Sequence, residues 1–168
     1  RCVYETGSLC FLPKEKILVS TGVDRSLRVW NPESGRLIRS LNIHTRRVHN
    51  LALRPGGEGQ PKVASVSDDR SVRLWQPTIG RMVRFARLKS RPLDAEWLPD
   101  GSRVVVSCSD GHVRVIAPLT VQVTGDIPAL EGWAYSLAVP HTAGRVLVAG
   151  QGGQLRRRML PRSADDRR

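Results

Sequence analysis

Aromatic residues are scarce in this chain: phenylalanine, tyrosine and tryptophan together make up 5% of its 168 residues. That leaves no broad set of rings on which successive nucleotides would stack, as single-stranded nucleic acid requires. The interior must be mainly aliphatic, with Trp30, Trp75, Trp97 and Trp133 as anchors. Cysteine is as sparse. Cys2, Cys10 and Cys108 follow no zinc or haem spacing and read as isolated thiols packed like small hydrophobes. They suit a reducing compartment, so a cytoplasmic location is the expectation. No apolar run reaches the length of a membrane-spanning helix. No window holds a helical period long enough to compete with strands. Acidic residues are the minority, 15 against 27 basic ones, for a net charge of +12. Lysine occurs only as Lys14, Lys16, Lys62 and Lys89, so the excess is carried by arginine.

What the chain does have is a heptapeptide that returns. Asp24-Arg25-Ser26-Leu27-Arg28-Val29-Trp30 recurs 45 residues on as Asp69-Arg70-Ser71-Val72-Arg73-Leu74-Trp75. A weaker copy, Asp110 to Ile116, follows after 41 residues, and a fourth, Gly152 to Arg158, after a further 42. A fixed step in this range marks a repeat architecture. Each copy follows a short apolar run: Ile17–Val19, Val63–Ala64, Val104–Val106 and Val146–Val148. Before each run lies another short stretch, from Ser8, Asn50, Asp94 and Ser136 to the next proline. A polar turn and a third apolar stretch follow each full copy. Runs of this length bounded by Gly, Pro, Asp and Ser read as strands, and the alternation in Ser26–Trp30 has period two. The unit is about four strands, repeated about four times.

In these positions the chain resembles the WD-repeat β-propeller family, whose unit is one four-stranded blade around a central channel. Trp30 and Trp75 match the family tryptophan, Asp24, Asp69 and Asp110 the turn aspartate, and Ser20 and Ser65 the second-strand serine. Val106 and Val148 replace that serine later. His44 matches the family histidine, with Ile43 where glycine is usual, and Leu88 and Leu130 take its place further on. The resemblance implies an all-β propeller whose His, Ser, Asp and Trp side chains form a buried network tying strands together. Only the unit with His44, Ser65, Asp69 and Trp75 carries a full set, so Asp110, without serine and tryptophan partners, is expected to contribute less than Asp69. Blades are expected at about 3–41, 42–88, 89–127 and 128–158, with a polar basic tail over 159–168. Four blades are few for a ring of this kind, so the chain is expected to be part of a larger one, closed by remaining blades or by a second copy.

Arg28, Arg73, Arg114 and Arg156 hold one equivalent position and are expected on a solvated strand face. No catalytic constellation is present. His44 and His49 lack the spacing of a helical metal pair, and His112 and His141 fall in expected turns. Asp68 and Asp69 point apart in a strand turn. The glycine-rich stretch Gly150–Gly153 opens no helix and has no phosphate-binding lysine. No metal and no cofactor is expected.

The functional expectation is a non-catalytic protein-interaction scaffold. The resemblance favours docking on the rim that carries the loops before the first strands and the turns between second and third. There Arg46, Arg47, Arg70 and Arg91 stand with Trp133 and Tyr135, residue types enriched among binding hot spots. The alternatives are a regulatory module attached to a catalytic or cofactor domain outside this chain, and a basic propeller that binds nucleic acid or another polyanion, whose affinity would fall with salt.

Overall fold

A computed structural model describes residues 6–56, 61–141 and 144–161. They form four antiparallel sheets, each built from strands consecutive in the chain. The first holds β1 (Thr6–Leu12), β2 (Ile17–Gly22), β3 (Leu27–Trp30) and β4 (Leu37–Leu41). The second holds β5 (Val48–Leu53), β6 (Val63–Ser67), β7 (Ser71–Gln76) and β8 (Arg81–Arg87). The third holds β9 (Pro92–Trp97), β10 (Val104–Cys108), β11 (His112–Ile116) and β12 (Val123–Pro128). The fourth holds β13 (Ala134–Ala138), β14 (Arg145–Gly150) and β15 (Leu155–Met159). The expected four-strand unit is thus met in three sheets, while the fourth has three strands among the described residues. Positions 159 and 160, expected at the start of a basic tail, pack with the blades instead. Met159 ends a strand, and Leu160 is buried between the third and fourth sheets.

Burial explains the strand sequences. β6 and β10 are buried at every position because both faces of a central strand are covered, and they are correspondingly rich in valine, alanine and serine. The outer strands β4, β8 and β12 are mostly exposed and carry polar or charged residues. Arg81, Arg84 and Arg87 on β8 discourage pairing with a foreign strand.

The sheets stack face to face as blades. One apolar cluster joins the first sheet to the second through Val19, Leu27, Val29, Val63 and Trp75. Another joins the second to the third, with Val66, Val72 and Leu74 against Trp97, Val104 and Ile116. The last joins the third to the fourth, with Val105 and Val113 against Val146 and Val148. Among the described residues no such cluster joins the fourth sheet to the first.

The first strands β1, β5, β9 and β13 lie side by side and share one device. Each has a register shift at its start, skipping Gly7, His49, Leu93 and Tyr135 in turn. A bulge of this kind re-aims side chains. Directly after it stand Ser8, Asn50, Asp94 and Ser136, which form a hydrogen-bonded chain from blade to blade. Ser8 Oγ donates to Asn50 Oδ1 at 2.7 Å, Asn50 Nδ2 donates to Asp94, and Ser136 Oγ donates to Asp94 Oδ2 at 2.9 Å. The Leu137 backbone N–H adds a further bond to that carboxylate at 2.9 Å. Apolar clusters hold the blade faces, and this polar chain ties their inner ends.

Candidate functional site

The second blade contains a continuous buried network. Asp69 Oδ2 accepts from His44 Nδ1 at 2.8 Å, and His44 Nε2 lies 2.7 Å from Ser65 Oγ. Trp75 Nε1 donates to the same hydroxyl at 2.7 Å. With Nδ1–H directed at the carboxylate, Nε2 is the acceptor and Ser65 donates to it while accepting from Trp75. Asp69 is further engaged by the Ser71 N–H at 3.0 Å, the Thr45 N–H at 3.2 Å and the Arg73 guanidinium at 3.5 Å. The Asp–His–Ser order is that of a hydrolytic triad. Here the serine is fully buried and covered by the indole, so no substrate reaches it.

Burial pushes the His44 imidazole below its usual range, against the opposing pull of Asp69. Burial alone would raise Asp69, but the hydrogen bonds from Ser71 and His44 bring it down to about 2. Both shifts give the same sign. His44 contributes stability in full above its unfolded value of about 6.5 and loses it as pH falls through the lower folded value. Asp69 contributes in full above about 3.9 and loses it as pH falls through about 2. The urea midpoint should therefore begin to fall as the solution is acidified below about pH 6.5, and this first decline should vanish in His44→Gln. A midpoint that stays flat from neutral pH to the onset of carboxylate titration would contradict it.

The other blades carry partial versions. In the first, Trp30 Nε1 donates to Ser20 Oγ at 2.8 Å, and Asp24 accepts from Ser26 Oγ at 2.8 Å and pairs with Arg28. In the third, Asp110 binds Arg114 through both oxygens, at 3.1 and 2.6 Å. This corrects the expectation of a solvated arginine face. The side chains of Arg28, Arg73 and Arg114 are 18%, 13% and 4% exposed and turn back onto the aspartate four residues earlier. Only Arg156 is exposed as expected. A hairpin turn brings positions i and i+4 together, so the arginine finds its carboxylate within its own blade.

The same turns shape the rim. Arg25 and Arg70 hold φ of 73° and 62°, and Gly111, Gly152 and Gly153 stand in the corresponding turns at 77°, 70° and 72°. Such a conformation costs a side-chain-bearing residue about 1–2 kcal/mol. At Gly111 a Cβ would collide with the Leu130 carbonyl, so glycine is required. At Arg70 the side chain is exposed instead.

Beside Arg70 lies an open cleft of about 410 Å³ between the second and third blades, where Arg46, Arg70, Arg87 and Arg91 stand around Thr45, Asp68 and Asp69. The two carboxylates are already engaged: Asp69 in the network, and Asp68 by His49 at 2.9 Å and Arg91 at 3.8 Å. Arg46, Arg70 and Arg87 have no carboxylate partner among the described residues. Arg91 also sits over the Trp133 ring at 4.7 Å, and Trp133 packs against Tyr135 with centroids 5.9 Å apart. Both aromatic residues are exposed, at 37% and 53%, and the bulge in β13 sets Tyr135 there. Five of the six rim residues named from the sequence thus lie on one continuous surface. Arg47 is the exception. It is exposed but does not line the cleft, and its carbonyl accepts from the Asp68 N–H at 3.0 Å. Arg87 is the residue missed. It pairs with Ser71 across β7 and β8, directly beside the Arg70 turn.

The remaining candidates are structural. His49 pairs with Asp68, and His112, which opens β11 rather than lying in a turn, pairs with Asp126 at 2.6 Å. Cys10 and Cys108 are free thiols whose burial pushes them up to about 12 and about 11, which keeps them protonated and unreactive. Cys2 lies outside the described residues. Among the described residues no group of side chains is arranged to hold a metal, and no helix is long and apolar enough to cross a membrane.

A family profile described as "WD domain, G-beta repeat" matches residues 6–31, 35–76 and 90–116, more than half of the chain. Among solved structures, the crystal structure of the computationally designed Ika4 protein is similar with a TM-score of 0.79 and 20% sequence identity, over 96% of this chain and 94% of that one. At that identity the likeness is one of fold alone. None of the curated proteins matches.

Proposed function

The chain belongs to the WD domain, G-beta repeat family, and on that premise we propose that it is a non-catalytic interaction scaffold whose protein partner docks an acidic segment in the cleft between the second and third blades. Members of this family generally act as protein-interaction scaffolds. The observation that carries the finer reading is the cluster of Arg46, Arg70 and Arg87, which have no carboxylate partner among the described residues, with Arg70 in a left-handed conformation. A residue that keeps its side chain where glycine would be less strained points to a use for that side chain. Carboxylates of an extended peptide would meet planar donors suited to paired hydrogen bonds. Trp133 and Tyr135 would extend the contact with apolar surface at low entropic cost.

The test uses a fluorescein-labelled octaglutamate peptide and fluorescence anisotropy. Losing one charge-assisted hydrogen bond should weaken binding about tenfold in Arg70→Gly. The same substitution relieves about 1–2 kcal/mol of backbone strain, against about 0.5–1 kcal/mol for the greater freedom of unfolded glycine. The melting temperature should therefore hold or rise while binding falls. Affinity should also drop as salt is added. Unchanged affinity in both Arg70→Gly and Arg87→Glu would overturn the reading. Tighter binding of an oligonucleotide of equal charge than of the peptide would transfer the site to nucleic acid.

A further inference from the structure

Thr45, exposed on the loop before β5, lines two clefts. On one side is the arginine-rich cleft between the second and third blades. On the other is an open cleft of about 520 Å³ between the first and second blades, where Asp24, Arg25 and Arg28 face Asn42, Ile43 and Thr45. Arg25 is the repeat counterpart of Arg70. Each follows the turn aspartate and closes its turn through its own N–H, to the Gly22 carbonyl at 3.2 Å and the Ser67 carbonyl at 3.0 Å. Each holds a left-handed φ and exposes its side chain. The third and fourth blades have Gly111 and Gly153 at this position. A side chain therefore projects from this turn position only on two neighbouring blades, one on each side of Thr45.

The two clefts differ in charge. In the first, Asp24 is engaged by the Ser26 hydroxyl at 2.8 Å and by Arg28. Arg25 has no carboxylate partner among the described residues. Asn42 stands one residue past Leu41, which pairs with Leu27 as Ala86 pairs with Val72, so it holds the place that Arg87 has in the second blade. The first cleft thus offers one cation among neutral polar groups, where the second offers Arg46, Arg70 and Arg87.

We propose that the partner's acidic segment crosses Thr45 and occupies both clefts, with a single carboxylate at Arg25 and a carboxylate cluster at Arg46, Arg70 and Arg87. The inference rests on the reading of the second cleft given above and adds a spacing to it. Packed sheets lie about 10 Å apart and an extended chain advances about 3.4 Å per residue, so the lone acidic residue stands about three to four residues from the cluster. Trp133 and Tyr135 lie beyond the second cleft, which sets the order: lone acid, acidic cluster, apolar residue. Joining two contacts on one chain makes the second intramolecular, so a segment that fills only one cleft binds more weakly.

Fluorescence anisotropy at 0.15 M salt with labelled octaglutamate tests this, alongside competition by an equally long peptide of two glutamates followed by six serines, whose acidic pair fits one cleft. Arg25→Gly should weaken octaglutamate about tenfold, the loss of one charge-assisted hydrogen bond, and should leave the short acidic pair almost unchanged. Arg70→Gly should weaken both peptides. The charge control is Arg36→Gln, in the turn at the other end of β3. Its effect should stay below about twofold, because an exposed charge more than about 8 Å away is screened. Arg25→Gly keeps the backbone bond of its turn and relieves its left-handed strain, so its melting temperature should hold. Octaglutamate affinity that falls in Arg70→Gly but not in Arg25→Gly overturns the spanning segment and leaves the single-cleft reading standing. Equal losses in Arg25→Gly and Arg36→Gln also overturn it, since net charge alone would then explain both. Affinity unchanged in Arg25→Gly, Arg70→Gly and Arg87→Glu alike removes both readings.

Discussion

Trp75→Ala should cost about 3–5 kcal/mol of stability, and Trp30→Ala about 1 kcal/mol. The two residues occupy the same repeat position and each donates its indole N–H to a serine, so the hydrogen bond does not separate them. Packing does. Trp75 is fully buried between the first and second blades, whereas Trp30 faces outward on the first and is only half-buried. Truncating Trp75 removes the largest side chain from a blade interface and leaves a cavity that strands from two sheets must collapse to fill. It also exposes one side of the Ser65 hydroxyl that His44 depends on. In a stack of repeats, stability is a sum of blade and interface contributions, so the damage should be local. Hydrogen exchange should quicken across β1–β4 and β5–β8 and change little in β13–β15. Chemical denaturation of both variants measures the contrast, and equal losses would show that the indole hydrogen bond outweighs packing.

The sequence made the repeat, the blades and the full network of the second blade readable, because hairpin geometry is local. A turn aspartate, a serine four residues before it and a tryptophan six after it meet whenever the intervening strands pair. What escaped depended on contacts between blades or on which way a long side chain folds. Ser8, Asn50, Asp94 and Ser136 open the four recurring stretches, yet they are three different residue types. They reveal a shared role only when the first strands are brought side by side. Arg28, Arg73 and Arg114 alternate with buried residues, which on a strand suggests a solvated face. Their guanidinium groups instead reach back to the turn. Arg87 joins the cleft through strand register rather than nearness in sequence. For the rim, the sequence supplied the residue types and the loop positions. The structure added which arginines lack a carboxylate partner among the described residues.

Asp69→Ala and Asp110→Ala should destabilise by similar amounts, about 1–3 kcal/mol each, although sequence matching alone favours the first. Asp69 leaves His44, Ser71 and the Thr45 N–H without their acceptor. Asp110 lacks the serine and tryptophan partners of the pattern but holds Arg114, whose side chain is 4% exposed. Burial would raise the Asp110 carboxyl, yet the hydrogen bonds from Arg114 and Ser90 bring it down to about 2. Its stabilising effect is complete above about pH 3.9 and is lost as pH falls through about 2. Removing it leaves the guanidinium with Asp126 at 3.4 Å and Ser90 Oγ at 2.7 Å, which is why the single loss stays moderate. Removing Asp126 as well, in Asp110→Ala/Asp126→Asn, strips a buried charge of both carboxylates, and the cost should approach about 3–5 kcal/mol. Replacing the arginine then restores most of what was lost, since an apolar side chain in a covered site has no charge to compensate. Urea denaturation of Asp110→Ala with and without Arg114→Leu measures this coupling. Strict additivity of the two substitutions would mean that Arg114 draws its stabilisation from elsewhere.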